Sequence, residues 1–177
     1  MANATLKFTE TQQQLIDEVL RSEHDAAGYK LELIKGVGIW EASPVYSHQK
    51  KVLEVILSIK QLQQDAGSCK CVSVPGLTLL FPDGSIKRPD ISIYCREPVE
   101  RDSACTLKPE VVIEIISRGY ERKDTEISLN FYLDNRIDDI VIFNPVKESV
   151  NHYQDGKVHE YTSPVELTFL CGCKATL

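Results

Sequence analysis

Residues 110–116 read Glu-Val-Val-Ile-Glu-Ile-Ile, and this stretch decides the predicted fold. Apolar residues occupy both faces of the stretch, which is typical of a central strand that is covered on both sides. A second apolar run follows at 139–143, after a segment with helical spacing over 124–135. A helix between two buried strands is a βαβ unit with a right-handed crossover. The stretch therefore predicts an α/β sheet.

The segments around this unit predict further elements on both sides of it. These are a helix over 10–22 behind a capping-box pattern, a β-hairpin over 29–43 with its turn at Lys35-Gly36, a helix over 47–65, strands at 69–74, 77–81 and 90–94, and short antiparallel strands over 149–161 and 165–172. The inward-facing apolar residues are predicted to be Val52, Leu53, Ile56, Ile59 and Leu62 in helix 47–65, and Ile127, Leu129, Phe131 and Tyr132 in helix 124–135. This order predicts a mixed central β-sheet flanked by helices, with an N-terminal helix and β-hairpin.

Length and composition indicate a single globular domain over residues 1–177. The chain has 177 residues, of which 42% are hydrophobic and 26% are charged, which excludes a fibre, a coiled coil or a disordered chain. The net charge of −6 counts against strong non-specific binding to nucleic acid, because phosphate contacts require a basic surface. A local basic cleft remains compatible with this charge.

The six cysteines are interpreted through the compartment in which the chain is expected. The first residues lack the apolar segment of a signal peptide, and no window resembles a membrane span, so we expect a cytoplasmic protein whose cysteines are free thiols. Cys69 and Cys71 form one Cys-x-Cys pair, and Cys171 and Cys173 form another. Structural zinc sites usually space their cysteines more widely, so small buried side chains are the favoured interpretation and zinc the alternative.

Glu114 points to chemistry because it lies inside the predicted buried strand. A buried carboxylate is costly unless it is paired, hydrogen-bonded or bound to a metal. One explanation is an ion pair with Arg88 or Arg122. The other involves Asp90, which begins the strand after Pro89 and would approach Glu114 if the two strands are neighbours. A pair of carboxylates with open positions suits Mg²⁺ or Mn²⁺.

Two motifs support a family resemblance. Arg88-Pro89-Asp90, followed by the run from Pro109 through Glu114 to Ser117, resembles the PD-(D/E)XK nuclease superfamily, and more narrowly a restriction-endonuclease-like family abundant in cyanobacteria. The resemblance extends over most of the chain, through the hairpin residues 29–36, Ser43-Pro44, His48, Tyr132 and Phe143-Asn144-Pro145. It implies a restriction-endonuclease-like fold.

The resemblance also implies metal-dependent hydrolysis of phosphodiester bonds in DNA. Asp90, Glu114 and the carbonyl group of Ile115 would hold Mg²⁺ or Mn²⁺, and a lysine would position the attacking water and neutralise charge. Position 116, where the superfamily has its lysine, is Ile116. In the narrower family the lysine lies four residues before the tyrosine, and that position is Ser128. Lys123 is the nearest candidate replacement, and a solvated lysine is the more common alternative.

Glu32 and His48 are secondary candidates. Glu32 is either a further metal ligand or a residue on the solvent-facing side of the hairpin, and the second interpretation is favoured. His48 either contacts a phosphate or is simply packed or exposed, which is the more common case. Arg118, Arg122 and Lys123 either bind phosphates or are screened by Glu121 and Asp124. The sequence thus leaves three hypotheses: an endonuclease acting on DNA, a catalytically degenerate relative that binds DNA or protein, and an unrelated metal-dependent hydrolase. A homodimer is compatible with each of them.

Overall fold

The computed structural model describes residues 29–62, 68–100, 103–117, 119 and 121–177, together with Glu10 and Gln14. The helix predicted over 10–22 lies outside the described residues apart from those two, as does Arg118. No helix among the described residues is long and apolar enough to cross a membrane.

The helices and strands of the described residues are named in chain order. They are β1 (Tyr29–Ile34), β2 (Val37–Ala42), α1 (Tyr46–Ser58), β3 (Lys60–Gln61), β4 (Val72–Pro75), β5 (Leu79–Leu80), β6 (Ile86–Lys87), β7 (Ile91–Tyr94), β8 (Val111–Ile115), a π-helical segment (Lys123–Ser128), α2 (Leu129–Asp134), β9 (Asp139–Asn144), β10 (Ser149–Gln154), β11 (Lys157–Thr162), β12 (Glu166–Thr168) and β13 (Cys173–Thr176).

A six-stranded mixed sheet forms the centre of the fold, in the order β11-β10-β9-β8-β7-β4. Strands β8 and β9 are parallel and the other pairs are antiparallel. Every residue of β8 is buried, as expected for a strand that is covered on both faces. The predicted α/β class and the parallel strand pair around a helical segment are confirmed.

The two faces of β8 contribute to two separate apolar clusters. Ile113 and Ile115 pack in a cluster with Val52 and Val55 of α1. Val112 packs in the other cluster with Leu129 of α2. Because side chains alternate along a strand, Glu114 lies on the same face as Val112 and therefore points toward α2.

Two smaller sheets flank the central one, in the orders β2-β1-β6-β5 and β12-β13-β3. The first contains the predicted hairpin, in which β1 and β2 pair over their full length. Its turn has positive φ at Lys35 (50°) and Gly36 (83°), the conformation of a type I′ hairpin turn. Strand β1 also pairs with β6, which places the hairpin next to the strand that precedes Asp90 in the chain.

Helix α1 is shorter than the predicted helix over 47–65. It ends at Ser58, and Lys60–Gln61 pairs with β13 instead of continuing the helix. Its core-facing residues are Val52 and Val55, whereas Leu53 and Leu62, predicted to be inward, are exposed. Pairing with β13, a strand far along the chain, overrides the local helical preference of these residues. The apolar pattern of the segment does not indicate this pairing.

The π-helical segment changes which side chains face inward ahead of α2. Its wider turn departs from the 3.6-residue period, and Lys123, Asp124 and Ser128 become buried. Ile127, predicted to face inward, is 45% exposed. The prediction was wrong at this residue because it assumed regular α-helical spacing.

The expectation of free thiols is also corrected. The structure pairs Cys69 with Cys95 and Cys71 with Cys173 as disulfides, and only Cys105 and Cys171 are free among the six. The partners are 26 and 102 residues apart in the chain. The fold brings the segment before β4, the end of β7 and β13 together, a juxtaposition that sequence spacing does not show.

Candidate metal centre

The antiparallel pairing of β7 with β8 places Asp90 beside Glu114. The register pairs Ile91 with Ile113, and one further step opposes Asp90 to Glu114. The prediction that these two strands are adjacent is therefore confirmed. Pro89 stands just before Asp90 at the end of the sheet, so the carboxylate of Asp90 can face outward while Glu114 stays buried.

Direct hydrogen bonds connect the two acids to the backbone and to α2. The Asp90 carboxylate accepts a hydrogen bond from the Ile115 amide (2.8 Å), and Glu114 Oε2 accepts one from the Asp90 amide (3.3 Å). The hydroxyl of Tyr132 donates to Glu114 Oε1 at 2.6 Å. The buried glutamate therefore has polar partners on both oxygens.

His48 contacts the site from α1. Its Nε2 lies 3.2 Å from Asp90 Oδ2 and 3.0 Å from the carbonyl oxygen of Ile115. His48 is buried, and its Nδ1 has no hydrogen-bond partner among the described residues. This residue is thus neither exposed nor merely packed, because it bonds the two oxygens that the resemblance assigns to a metal.

A small cavity of about 30 Å³ opens at this point. Its walls include Asp90, Ile115, His48, Lys123 and Asp124. A space of this size holds a water molecule or an ion. A larger cavity of about 500 Å³ shares His48, Ile115 and Ser117 with it and continues along α1 past Lys51.

The oxygen atoms fit a hard divalent cation. His48 Nε2 lies 3.2 Å from the Asp90 carboxylate and 3.0 Å from the Ile115 carbonyl oxygen, so these two oxygens are close together beside the imidazole nitrogen. The buried Glu114 carboxylate accepts a hydrogen bond from the Asp90 amide, and it lies behind the residues that line the cavity. Two carboxylates and a carbonyl group are ligands that Mg²⁺ and Mn²⁺ prefer.

Glu32 does not lie on a wet face, as the sequence favoured, but is fully buried. One of its carboxylate oxygens accepts from Lys87 Nζ at 2.5 Å, and the other accepts from the Arg88 amide at 2.8 Å. Both oxygens are therefore used within the protein. The hairpin buries Glu32 because β1 pairs with β6 as well as with β2, a contact between segments about 50 residues apart in the chain.

Lys87 is the residue that sequence reasoning missed. It is fully buried, and its Nζ donates to Glu32 and to Ser128 Oγ (2.9 Å). An ammonium group from β6 thus reaches the position at which the resemblance expects a lysine from the helix. The pattern of Lys87 in the sequence is that of an ordinary lysine in a short strand, so no local signal identifies it.

Lys123 is buried rather than solvated, which corrects the more common expectation for it. Its Nζ lies 2.5 Å from Glu41, 3.2 Å from Asp124 and 3.6 Å from Glu32. Its neighbour Arg122, which was grouped with it as a possible phosphate contact, has a side chain that is 87% exposed and pairs with Glu126. Lys123, unlike Arg122, points toward Glu32, Glu41 and Asp124.

The surroundings shift the pKa values of the acids in different directions. Burial opposes ionisation of Asp90, but the hydrogen bond from His48 and the charge of Lys30 outweigh it and lower its pKa. Burial raises the pKa of Glu114, and the charge of Asp90 adds to this effect although Lys123 opposes it. Burial, followed by repulsion from Glu114, raises the pKa of Asp124 to about 7.

The basic groups of the site have raised pKa values. Burial works against the charge of Lys123, but Glu114 and Glu32 outweigh it, so its pKa lies well above the usual value and the ammonium group stays protonated. His48 behaves alike, because its hydrogen bond with Asp90 overcomes burial and raises its pKa. The site therefore combines acids whose pKa values are shifted in different directions with basic groups whose pKa values are raised.

Asp124 gives a prediction with a defined pH window. A carboxyl group whose pKa is higher in the folded state destabilises that state as it ionises, so Asp124 lowers stability as the pH rises from 3.8 through about 7. Asp124→Asn should therefore stabilise the protein at pH 8 by about 1–3 kcal/mol, with the gain vanishing near pH 4. Urea unfolding in chelator measures this, and exposed Asp134→Asn is the control; an equal effect at both pH values would contradict it.

The Glu32–Lys87 pair gives a second prediction. Glu32→Gln leaves a fully buried ammonium group without its nearest counter-charge and should lower the free energy of unfolding by about 3 kcal/mol. The double variant Glu32→Gln/Lys87→Met should recover part of this loss, because it removes the uncompensated charge. Denaturant unfolding of both variants tests it; a double variant less stable than Glu32→Gln would show that the ion pair is not the cause.

Comparisons with known proteins agree with this geometry. A profile of the Uma2 family, described as putative restriction endonuclease, matches residues 16–170. No curated protein matches the chain. The crystal structure of a putative nuclease belonging to DUF820 from Anabaena variabilis is similar in fold, with a TM-score of 0.57 and 19% identity, over 86% of this chain and 87% of that one. The family match covers most of the sequence, and the chain therefore belongs to the Uma2 family of putative restriction endonucleases.

Proposed function

We propose that this protein is a divalent-metal-dependent endonuclease that hydrolyses phosphodiester bonds in DNA. One observation carries the proposal. Asp90 and Ile115 line a small cavity together with Lys123, and the Asp90 carboxylate and the Ile115 carbonyl oxygen both lie within 3.2 Å of His48 Nε2. Oxygen ligands beside a fixed cation are the arrangement that phosphoryl transfer requires.

Asp90, Glu114 and the carbonyl of Ile115 would hold Mg²⁺ or Mn²⁺. When bound, such an ion polarises a phosphoryl oxygen and lowers the pKa of a coordinated water. Asp90 is ready for this role because its pKa is already lowered. Tyr132 orients the Glu114 carboxylate through its hydroxyl, and its ring packs in the apolar cluster on the α2 side of the sheet.

Lys123 stabilises negative charge at the phosphate and does not accept a proton. Its raised pKa keeps the ammonium group protonated, which excludes a general base at neutral pH but suits electrostatic stabilisation. The buried acids around it fix its position, since Glu41 and Asp124 lie 2.5 and 3.2 Å from its Nζ.

Lys87 takes the place of the family's helical lysine as a positioning residue. Its ammonium group occupies the neighbourhood of Ser128 Oγ while pairing with Glu32, so a cation is retained although Ser128 carries none. Lys87 is fully buried and does not line the cavity, so it acts through Glu32 and the arrangement of the neighbouring lysines.

DNA would approach along the larger cavity beside α1. That cavity meets the small one at His48, Ile115 and Ser117, and Lys51 lies on its wall. With a net charge of −6 the chain has little general attraction for phosphates, so we expect weak binding that falls steeply with salt concentration.

A catalytically degenerate DNA- or protein-binding module is the second candidate. It is favoured by the internal pairing of the site's cations, since Lys30, Lys87 and Lys123 all contact carboxylates of this chain. A cation that is already paired neutralises a phosphate less effectively.

Cleavage of supercoiled plasmid in Mn²⁺ distinguishes the two candidates. We expect slow, chelator-sensitive nicking by the wild-type protein. Protein that folds, binds Mn²⁺ and leaves the plasmid intact at all enzyme concentrations would favour the degenerate module, and nicking that persists in chelator would contradict metal dependence.

A further inference from the structure

Five of the six cysteines meet at one place in the fold, and none of them lines the acidic cavity. Cys69 and Cys71 precede β4, Cys95 follows β7, and Cys171 and Cys173 stand at the beginning of β13. Three segments that are distant in the chain thus contribute sulfur atoms to one group. The sixth, Cys105, lies apart and accepts a hydrogen bond from Tyr94.

The sulfur atoms form one contiguous cluster rather than two independent disulfides. Cys173 Sγ lies 3.4 Å from Cys69 Sγ, although these two residues belong to different disulfides. The free thiol of Cys171 joins them, because the sulfur atoms of Cys69, Cys171 and Cys173 lie within 4.8 Å of one another. Zinc–sulfur bonds of about 2.3 Å in a tetrahedron place sulfur atoms roughly 3.8 Å apart, so this spacing suits zinc.

We propose that, in the reduced protein, Cys69, Cys95, Cys171 and Cys173 bind one Zn²⁺ ion. The donors that the structure groups here are all sulfur, which selects zinc over Mg²⁺ or Mn²⁺. Cys95 is assigned as the fourth ligand because it is bonded to Cys69 and lines the same open cavity as Cys69 and Cys171, whereas Cys71 does not line it. That cavity provides a path for the ion.

The chemistry balances without a redox step at the metal. A phosphine reductant first gives two electrons to each of the two disulfides and becomes a phosphine oxide, while one water molecule per disulfide supplies the oxygen atom of the oxide and the two protons of the thiols. The four coordinating thiols then lose their protons to the buffer as thiolates bind the ion. The bound ion ties β13 to the segments before β4 and after β7, so the reduced protein should melt at a higher temperature with zinc than with a chelator.

Metal analysis of the full chain, purified with a phosphine reductant and zinc, tests the proposal. We expect about one zinc ion per chain in the wild type and in the controls Cys71→Ser and Cys105→Ser, and much less in Cys95→Ser and Cys171→Ser. Asp90→Asn should keep its zinc, which separates this site from the acidic one. Co²⁺ in place of zinc should give the thiolate charge-transfer and d–d bands of a tetrahedral sulfur site.

Reduced, folded wild-type protein that binds neither zinc nor cobalt would overturn the proposal. Loss of zinc in Cys71→Ser with retention in Cys171→Ser would overturn the assigned ligand set. The cobalt spectrum of the wild type decides the question even if a cysteine variant fails to fold. Because the acidic site is not involved, a failure here leaves the proposed nuclease function unaffected, and the reverse also holds.

Discussion

Asp90→Asn should reduce metal-dependent plasmid cleavage by roughly 10³-fold, which corresponds to several kcal/mol of lost transition-state stabilisation. The substitution keeps the size of the side chain but removes the negative charge of a carboxylate that lines the cavity beside Ile115. The substitution also removes the carboxylate that lies 3.2 Å from His48 Nε2. Initial nicking rates in Mn²⁺ measure the effect.

Asp83→Asn is the matched control for this substitution. Asp83 lies in the turn before β6, is exposed, and caps the Ser85 amide, so its variant should cleave at the wild-type rate. Cleavage by Asp90→Asn within about tenfold of the wild type would be too small a change for a metal ligand, since even outer residues of metal sites cost 10–100-fold. That outcome would move the metal away from Asp90.

Lys123→Ala should lower the cleavage rate by roughly 10²–10³-fold while leaving metal-induced stabilisation in place, because a single preorganised charge at the transition state contributes that much. Arg122→Ala is the neighbouring control: it removes one positive charge from an exposed side chain that pairs with Glu126. Equal losses in the two variants would show that general attraction for DNA, and not a fixed cation in the cavity, accounts for the effect.

Ser128→Lys, which would place a lysine where the resemblance expects one, should lower the melting temperature of the protein. Ser128 is fully buried, and its Oγ already accepts a hydrogen bond from Lys87, so a second ammonium group would be forced against the first. The exchange Lys87→Met/Ser128→Lys should be tolerated better than Ser128→Lys alone, because it keeps one cation at that place. Thermal unfolding of both variants checks this.

The central strand and its acid were predictable because strong apolar patterns decide them. Residues 110–116 contain enough β-branched residues for a doubly covered strand, and a carboxylate at Glu114 stands out against that background. The position of Asp90 beside Glu114 was predicted only on the condition that the two strands are neighbours, and their antiparallel pairing meets that condition. Hydrophobic periodicity therefore identified the buried acid, and the family resemblance pointed to its partner.

The cations around the acids were less predictable because they depend on tertiary contacts. Lys123 turns inward only because a π-helical segment changes the register, and Lys87 reaches Ser128 only because β6 joins the hairpin sheet. The sulfur cluster likewise requires β13 to return beside β4 and β7. The spacing of residues along the chain does not predict any of these three contacts.

Thermal unfolding with and without Mn²⁺, for the wild type and Asp90→Asn, tests the central claim that Asp90 and Glu114 build a metal site. At 100 times its dissociation constant, the ion should stabilise the wild type by about 2.7 kcal/mol, a rise in Tm of roughly 5–10 °C for a chain of this length. Asp90→Asn should show no rise, and the cysteine variants should respond as the wild type does. A wild-type Tm that Mn²⁺ and Mg²⁺ leave unchanged at millimolar concentration, or an equal rise in Asp90→Asn, would contradict the account.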